Sequence, residues 1–268
     1  MLIFNAIGTS RLAALLLTLV IAAAPVRAQT GVVDHLPFDS LLQQHVVKGF
    51  VDYDAFARAP AFARYLASLD RVRLDSLNED ERLAFWINVY NAFTIQLIVA
   101  HGETASIRNI NKSLGVLQLK GPWSEPLVRA AGRRLSLDDV FHRILREEFA
   151  EPRIHFAVVC GAIGCAPLRS EAYTGSKLVD QLNDQGRRFL RESPTKNRLD
   201  TNRVFLSPIL MAYRSDFGAA RQDLLRSIAP WYEGEARKRL ATGRYFITAT
   251  AFDWTLNSQA KGRARGLL

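Results

Sequence analysis

Residues 78–102 read NEDERLAFWINVYNAFTIQLIVAHG, and this stretch decides the fold. Asn78 is a helix cap with Glu81 three residues on, and Glu79, Asp80 and Glu81 put negative charge at the positive end of the helix dipole. Gly102 supplies the stop. The residues between are apolar on most sides, which predicts a helix from about 78 to 101 at the centre of the core. Asn88, Asn91, Thr94 and Gln96 interrupt the run Leu83 to Ala100, so it reads as a core helix and not as a membrane span.

Before this helix, Phe38 to Val47 has apolar residues Phe38, Leu41, Leu42 and Val46 on one helical face. Pro60 to Leu69 reads as a further helix. After it, Val116, Leu117 and Leu119 suggest a short strand, and Leu127 to Leu135, with Gly132 in the middle, a hairpin. Ser136-Leu137-Asp138-Asp139 caps a helix reaching Phe149. Arg153 to Val159 reads as a buried strand ending in a Gly-containing turn. Gly175 to Arg191 is helical, Asn197 to Asn202 a polar turn, and Val204 to Leu206 and Tyr245 to Thr250 are strands. Helices and strands mix without strict alternation. The class is α+β: a single domain with a small, mainly antiparallel sheet packed against several helices.

The first residues carry an export pattern. Arg11 gives a positive n-region, Leu12 to Ala24 an uncharged apolar run, and Val26-Arg27-Ala28 a cleavage site after Ala28. The run is shorter than the ~20 residues that cross a bilayer, so residues 1–28 read as a cleavable signal peptide. Cleavage leaves 240 of the 268 residues and removes Arg11 and Arg27, taking the formal charge from +9 to +7. A domain at 29–257 followed by a basic tail at 258–268 is expected, in the periplasm or secreted, with no transmembrane segment after cleavage. The basic excess is scattered and no groove-reading motif accompanies it, so nucleic acid is not expected as a partner; a peptide-like or envelope substrate is.

Chemistry is concentrated in His155 to Cys165. Here a His lies in an apolar segment, and a Gly-rich turn carries Cys160 and Cys165. Imidazole beside a thiol is the minimal arrangement for a thiolate nucleophile. On a straight strand His155 and Cys160 face opposite sides and stand roughly 16 Å apart, which favours Cys165 as the reactive thiol and Cys160 as a small core residue. An exported protein also sits in an oxidising compartment, so a Cys160–Cys165 disulfide stands as the alternative. His155 with the two cysteines falls short of the four ligands a zinc site takes, and neither a metal nor a cofactor is expected. Asn88 and Asn91 share a helix face. Their amides either tie loop backbone or serve as an orienting or oxyanion group. His142 matters if its helix lines the same cleft, and Tyr213 to Phe217 and Asp253-Trp254 suit a cleft wall or a capped turn.

Val51-Asp52-Tyr53, Phe85 to Ala92, Leu135 to Asp139, His155 to Cys165 with Pro167-Leu168, and Asp253 to Asn257 together resemble the family catalogued as domain of unknown function 547. The resemblance runs from about residue 35 to residue 257 and implies no activity. The family pattern has an acidic residue before His142, where this chain has Phe141.

Three functions are therefore carried forward. The first is a thiol-dependent hydrolase or acyl-transferase with Cys165 as nucleophile, His155 or His142 as base, and Asn88 or Asn91 as orienting group. The second is a non-catalytic cell-envelope binding domain with a structural Cys160–Cys165 disulfide. The third is a thiol-redox protein cycling that pair.

Overall fold

The structure is a computed structural model that describes residues 32–111 and 121–268. The signal peptide expected at 1–28 and the strand expected at Val116 to Leu119 lie outside the described residues.

The helices are α1 (Leu36–His45), α2 (Tyr53–Arg58), α3 (Pro60–Leu69), α4 (Glu79–His101), α5 (Ile154–Ala157), α6 (Leu178–Leu190), α7 (Pro208–Ala212), α8 (Arg221–Ile228), α9 (Gly234–Ala241) and α10 (Gln259–Ala264). A π-helix, Asp139–Leu145, stands between α4 and α5. The strands are β1 (Val46–Val47), β2 (Phe50–Val51), β3 (Val128–Ala130), β4 (Arg133–Leu135), β5 (Arg198–Leu199), β6 (Arg203–Leu206) and β7 (Phe246–Ala249). The architecture is α+β, and the expected sheet divides into three small ones. β1–β2 and β3–β4 are antiparallel hairpins, and the third sheet has the order β5-β6-β7, antiparallel then parallel.

α4 follows its sequence closely. Asn78 accepts a hydrogen bond from the Glu81 amide at 2.8 Å, and Gly102 closes the helix at φ 57°. By length and composition α4 could cross a membrane, yet 83% of that stretch is packed inside the protein. Helices α1 to α3, the β3–β4 hairpin and the π-helix surround it and form the larger core. A smaller core joins α6, β6 and α8 through Phe189, Val204, Leu206, Leu224, Leu225 and Ile228.

Residues 153–159 do not form the expected strand. The chain turns from Pro152, with Ile154, His155 and Phe156 amides donating to the carbonyls of Glu151, Pro152 and Arg153. Proline's fixed φ suits the start of a helical turn, and a short apolar run does not by itself separate strand from buried helix. The face-alternation argument for His155 and Cys160 therefore does not hold. Ile154 belongs to the larger core and Phe156 to the smaller one, so His155 sits at the seam between them. The helix expected to reach Phe149 is the shorter π-helix. The segment expected as a basic tail contains α10, whose buried Gly262 packs against Phe50.

Candidate functional site

A cleft of about 300 Å³ opens at this seam. The π-helix supplies Phe141 and His142, α4 supplies Tyr90, and α5 supplies His155. α7 and the residue after it contribute Ile209, Ala212 and Tyr213, and the far wall is Trp123, Phe252 and Trp254.

Ser136 and Asp139 position the π-helix. Asp139 accepts from the Ser136 amide and hydroxyl at 2.9 and 2.7 Å, and the Ser136 hydroxyl accepts from the Asp139 amide at 3.0 Å. This reciprocal cap uses Asp139 and leaves its neighbour Asp138 to face the cleft. The wider winding that follows is characteristic of functional segments.

Behind the cleft lies a charged network. Arg146 grips Asp216 through two bonds, Nε to Oδ2 at 2.6 Å and Nη2 to Oδ1 at 2.7 Å. Those bonds hold the Asp216 carboxyl down to about 2, against the opposing effect of its partial burial. Asp216 is therefore ionised and carries no proton to donate. His155 Nε2, 2.8 Å from Asp216 Oδ2, must donate, which places the ring proton on Nε2. Burial lowers the His155 pKa, Asp216 opposes it, and the charges of Arg146 and His142 add to the lowering. The contact is thus a neutral N–H donating to a carboxylate, and His155 Nδ1 keeps a lone pair with no partner among the described residues. Arg146 Nη1 likewise donates to His142 Nδ1 at 3.1 Å, so a neutral His142 carries its proton on Nε2. Tyr213 stacks on His155, centroids 4.9 Å apart and planes 13° apart, and the Arg146 guanidinium lies 4.9 Å from the same Tyr213 ring. Phe141 meets His142, His155 and Tyr213 edge-on.

The cysteines form a Cys160–Cys165 disulfide, with Cα atoms 5.9 Å apart. Cys165 is fully buried, so the residue expected as nucleophile is the shielded half of the bond, whereas Cys160, expected as core, lines the cleft. The loop is held from several sides. Ile163 and Gly164 amides donate to the Thr255 and Asp253 carbonyls at 2.8 Å each, and Lys196 Nζ donates to the Cys165 carbonyl at 2.7 Å. A Cβ on Gly164 would stand 2.9 Å from the Asp253 nitrogen, so only glycine allows this approach. The pairing also sets Phe252 and Trp254 on the cleft wall.

Asn88 and Asn91 face backbone. Asn91 donates to the Ala157 carbonyl at 3.0 Å and accepts from the Val159 amide at 2.9 Å. Asn88 makes the same pair of contacts with Tyr173, at 2.7 and 2.9 Å. Neither lines the cleft. Of the expected site residues, the structure brings His142 and His155 together with Cys160, and sets Cys165, Asn88 and Asn91 behind them. Among the described residues there is no cluster suited to a metal.

Asp138 and Trp123 were not anticipated. The doubled acid after Ser136 was the available signal for Asp138, since one acid suffices for the cap.

Residues 74–190 match the family model described as "Protein of unknown function, DUF547". The chain resembles the DUF547 family. The matched stretch holds α4, the π-helix, α5, the disulfide loop and α6. Asp216, Tyr213 and Trp254 lie beyond it. No curated protein and no solved structure matches the chain.

Proposed function

We propose that this protein is an exported, non-catalytic binding domain of the cell envelope, with a structural disulfide and a ligand site in the aromatic cleft. One observation carries the reading: both thiols are consumed in a disulfide beside a formed cleft walled by six aromatic rings, Tyr90, Trp123, Phe141, Tyr213, Phe252 and Trp254. A cleft of this size, mostly apolar with a few directed polar groups, has the character of a small-molecule site. The imidazoles are turned inward to Asp216 and Arg146. Export is supported by the pattern of residues 1–28 and by a disulfide, which persists in oxidising compartments.

The test is titration of the mature protein with a neutral fluorescent naphthylamine that brightens in apolar surroundings. Single-site brightening that W254A or Y213A weakens at least several-fold is expected. No brightening, or brightening indifferent to both substitutions, overturns the reading.

A second reading is favoured by one contact set: Cys160 shares the cleft with His142 and His155. Reduced by a dithiol donor, the protein would present a Cys160 thiol to two imidazoles and act as a thiol-dependent hydrolase or acyl-transferase. Reduced protein that turns over a thioester, with the activity lost in C160S and kept in C165S, is the outcome this reading requires.

A further inference from the structure

We propose that the cleft takes an organic cation of the methylated-ammonium class, with the Asp138 carboxylate as its counter-ion. The inference rests on the reading that the cleft binds a ligand, and names the chemistry of that ligand.

Asp138 is the anchor of the argument. It lines the cleft, half-buried, yet its carboxylate accepts no hydrogen bond and makes no ion pair among the described residues. The arginines around it are committed elsewhere. Arg143 pairs with Asp139 at 3.3 Å and Arg146 holds Asp216 through two bonds, so that His142, whose Nδ1 faces Arg146, is the one neighbouring basic group whose charge acts on Asp138. Burial raises the Asp138 carboxyl pKa, with a smaller lowering from His142 and a further raising from the neighbouring Asp139. Partly desolvating an unpaired carboxylate is costly, and a ligand cation removes that cost.

The walls select the kind of cation. Aromatic faces attract a positive charge through the ring quadrupole, and several rings around one site make a cage for ammonium groups whose hydrogens are replaced by methyls. Tyr90 and Phe141 pack with ring centroids 5.9 Å apart on one side of the cleft, and Trp123, Trp254 and Phe252 pack in a row at 6.3 and 4.3 Å on the other, so that rings line both walls. Methyl groups on the ammonium find contact with the ring carbon that makes up most of these walls, while its charge faces the Asp138 carboxylate.

The experiment compares choline with its uncharged carbon isostere by calorimetric titration of the mature, oxidised protein, alongside the naphthylamine probe. Choline is expected to bind at least about tenfold more tightly than the isostere, the range of a desolvated cation–π site. D138N should abolish that preference without weakening the isostere or lowering the unfolding midpoint, since the carboxylate has no structural partner to lose. Equal affinity for the two overturns the cation, a preference that survives D138N overturns Asp138 as its counter-ion, and either result leaves the cleft as a binding site. If neither binds but the naphthylamine does, the cation is again overturned. If all three fail, the binding reading falls with it.

Discussion

His155 donates from Nε2 to Asp216 Oδ2 at 2.8 Å, across 61 residues of sequence. The contact joins a one-turn helix in the matched family stretch to a turn outside it, and through Arg146 it reaches the π-helix as well. Three segments that no local pattern connects are thus tied at one carboxylate, and that carboxylate sets the orientation of both cleft imidazoles.

Asp216→Asn tests this tie. The variant keeps the shape but removes the charge that Arg146 faces, and is expected to lose about 2–3 kcal/mol at neutral pH, the scale for breaking charged hydrogen bonds in a partly buried site. The Asp216 pKa is held down to about 2 in the fold, against ~3.9 for an unfolded Asp. A depressed carboxyl stabilises the fold above the unfolded value and ceases to do so as pH falls through the folded one. Urea unfolding curves of wild type and D216N should therefore diverge above about pH 4 and converge toward pH 2. A gap independent of pH would mean that charge is not its source.

His35 gives a second pH signature. It is 3% exposed, its Nδ1 lies 2.8 Å from the Tyr65 hydroxyl, and burial lowers its pKa to about 4, with a smaller opposing effect from Asp34. The unfolded chain binds this proton near pH 6.5 and the folded chain only near 4, so stability falls across that window as the solution is acidified. The loss amounts to roughly 3 kcal/mol. His155 shifts in the same direction, so the measurement is the difference between wild type and H35N across the window. Parallel curves would contradict the assignment.

Legibility followed how local each determinant is. The boundaries of α4 and α3 could be read because caps, acids and prolines act within one turn. The β3–β4 hairpin was announced by Gly132, which adopts φ 69°. Residues 153–159 misled because five apolar residues suit a strand or a buried turn equally, and Pro152 decided between them. Inverting the roles of Cys160 and Cys165 followed from that error. His142, Tyr213 and Trp254 were visible as candidates, while their meeting in one cleft depends on contacts between distant segments that periodicity does not encode. Asp216 was quoted within a motif, but its partners Arg146 and His155 lie 70 and 61 residues away.

Asn91 is predicted to be structural. Replacing it with Ala leaves the buried Ala157 carbonyl and Val159 amide without partners, and should cost roughly 3 kcal/mol, the upper range for orphaned buried polar groups. Native-state hydrogen exchange should localise the effect, with the Val159 amide exchanging faster in N91A than the global loss of stability accounts for. Unchanged relative protection at Val159 would show that the amide pair is not what holds this segment.

The disulfide separates the two sulfurs by environment, and single substitutions expose the difference. Closing a loop with a sequence separation of 5 is worth about 2 kcal/mol by chain entropy, and C160A and C165A should each lose about that much. Their free thiols should then behave differently. In C165A the remaining Cys160 lines the cleft, and iodoacetamide should alkylate it in the folded protein. In C160A the remaining Cys165 is fully buried, its sulfur accepting from the Ala162 amide at 3.4 Å, and alkylation should wait for unfolding. Comparing native alkylation rates with unfolding rates decides the matter. Fast labelling of Cys165 in folded C160A would restore it as a candidate nucleophile and place the cleft wall differently from the geometry described above.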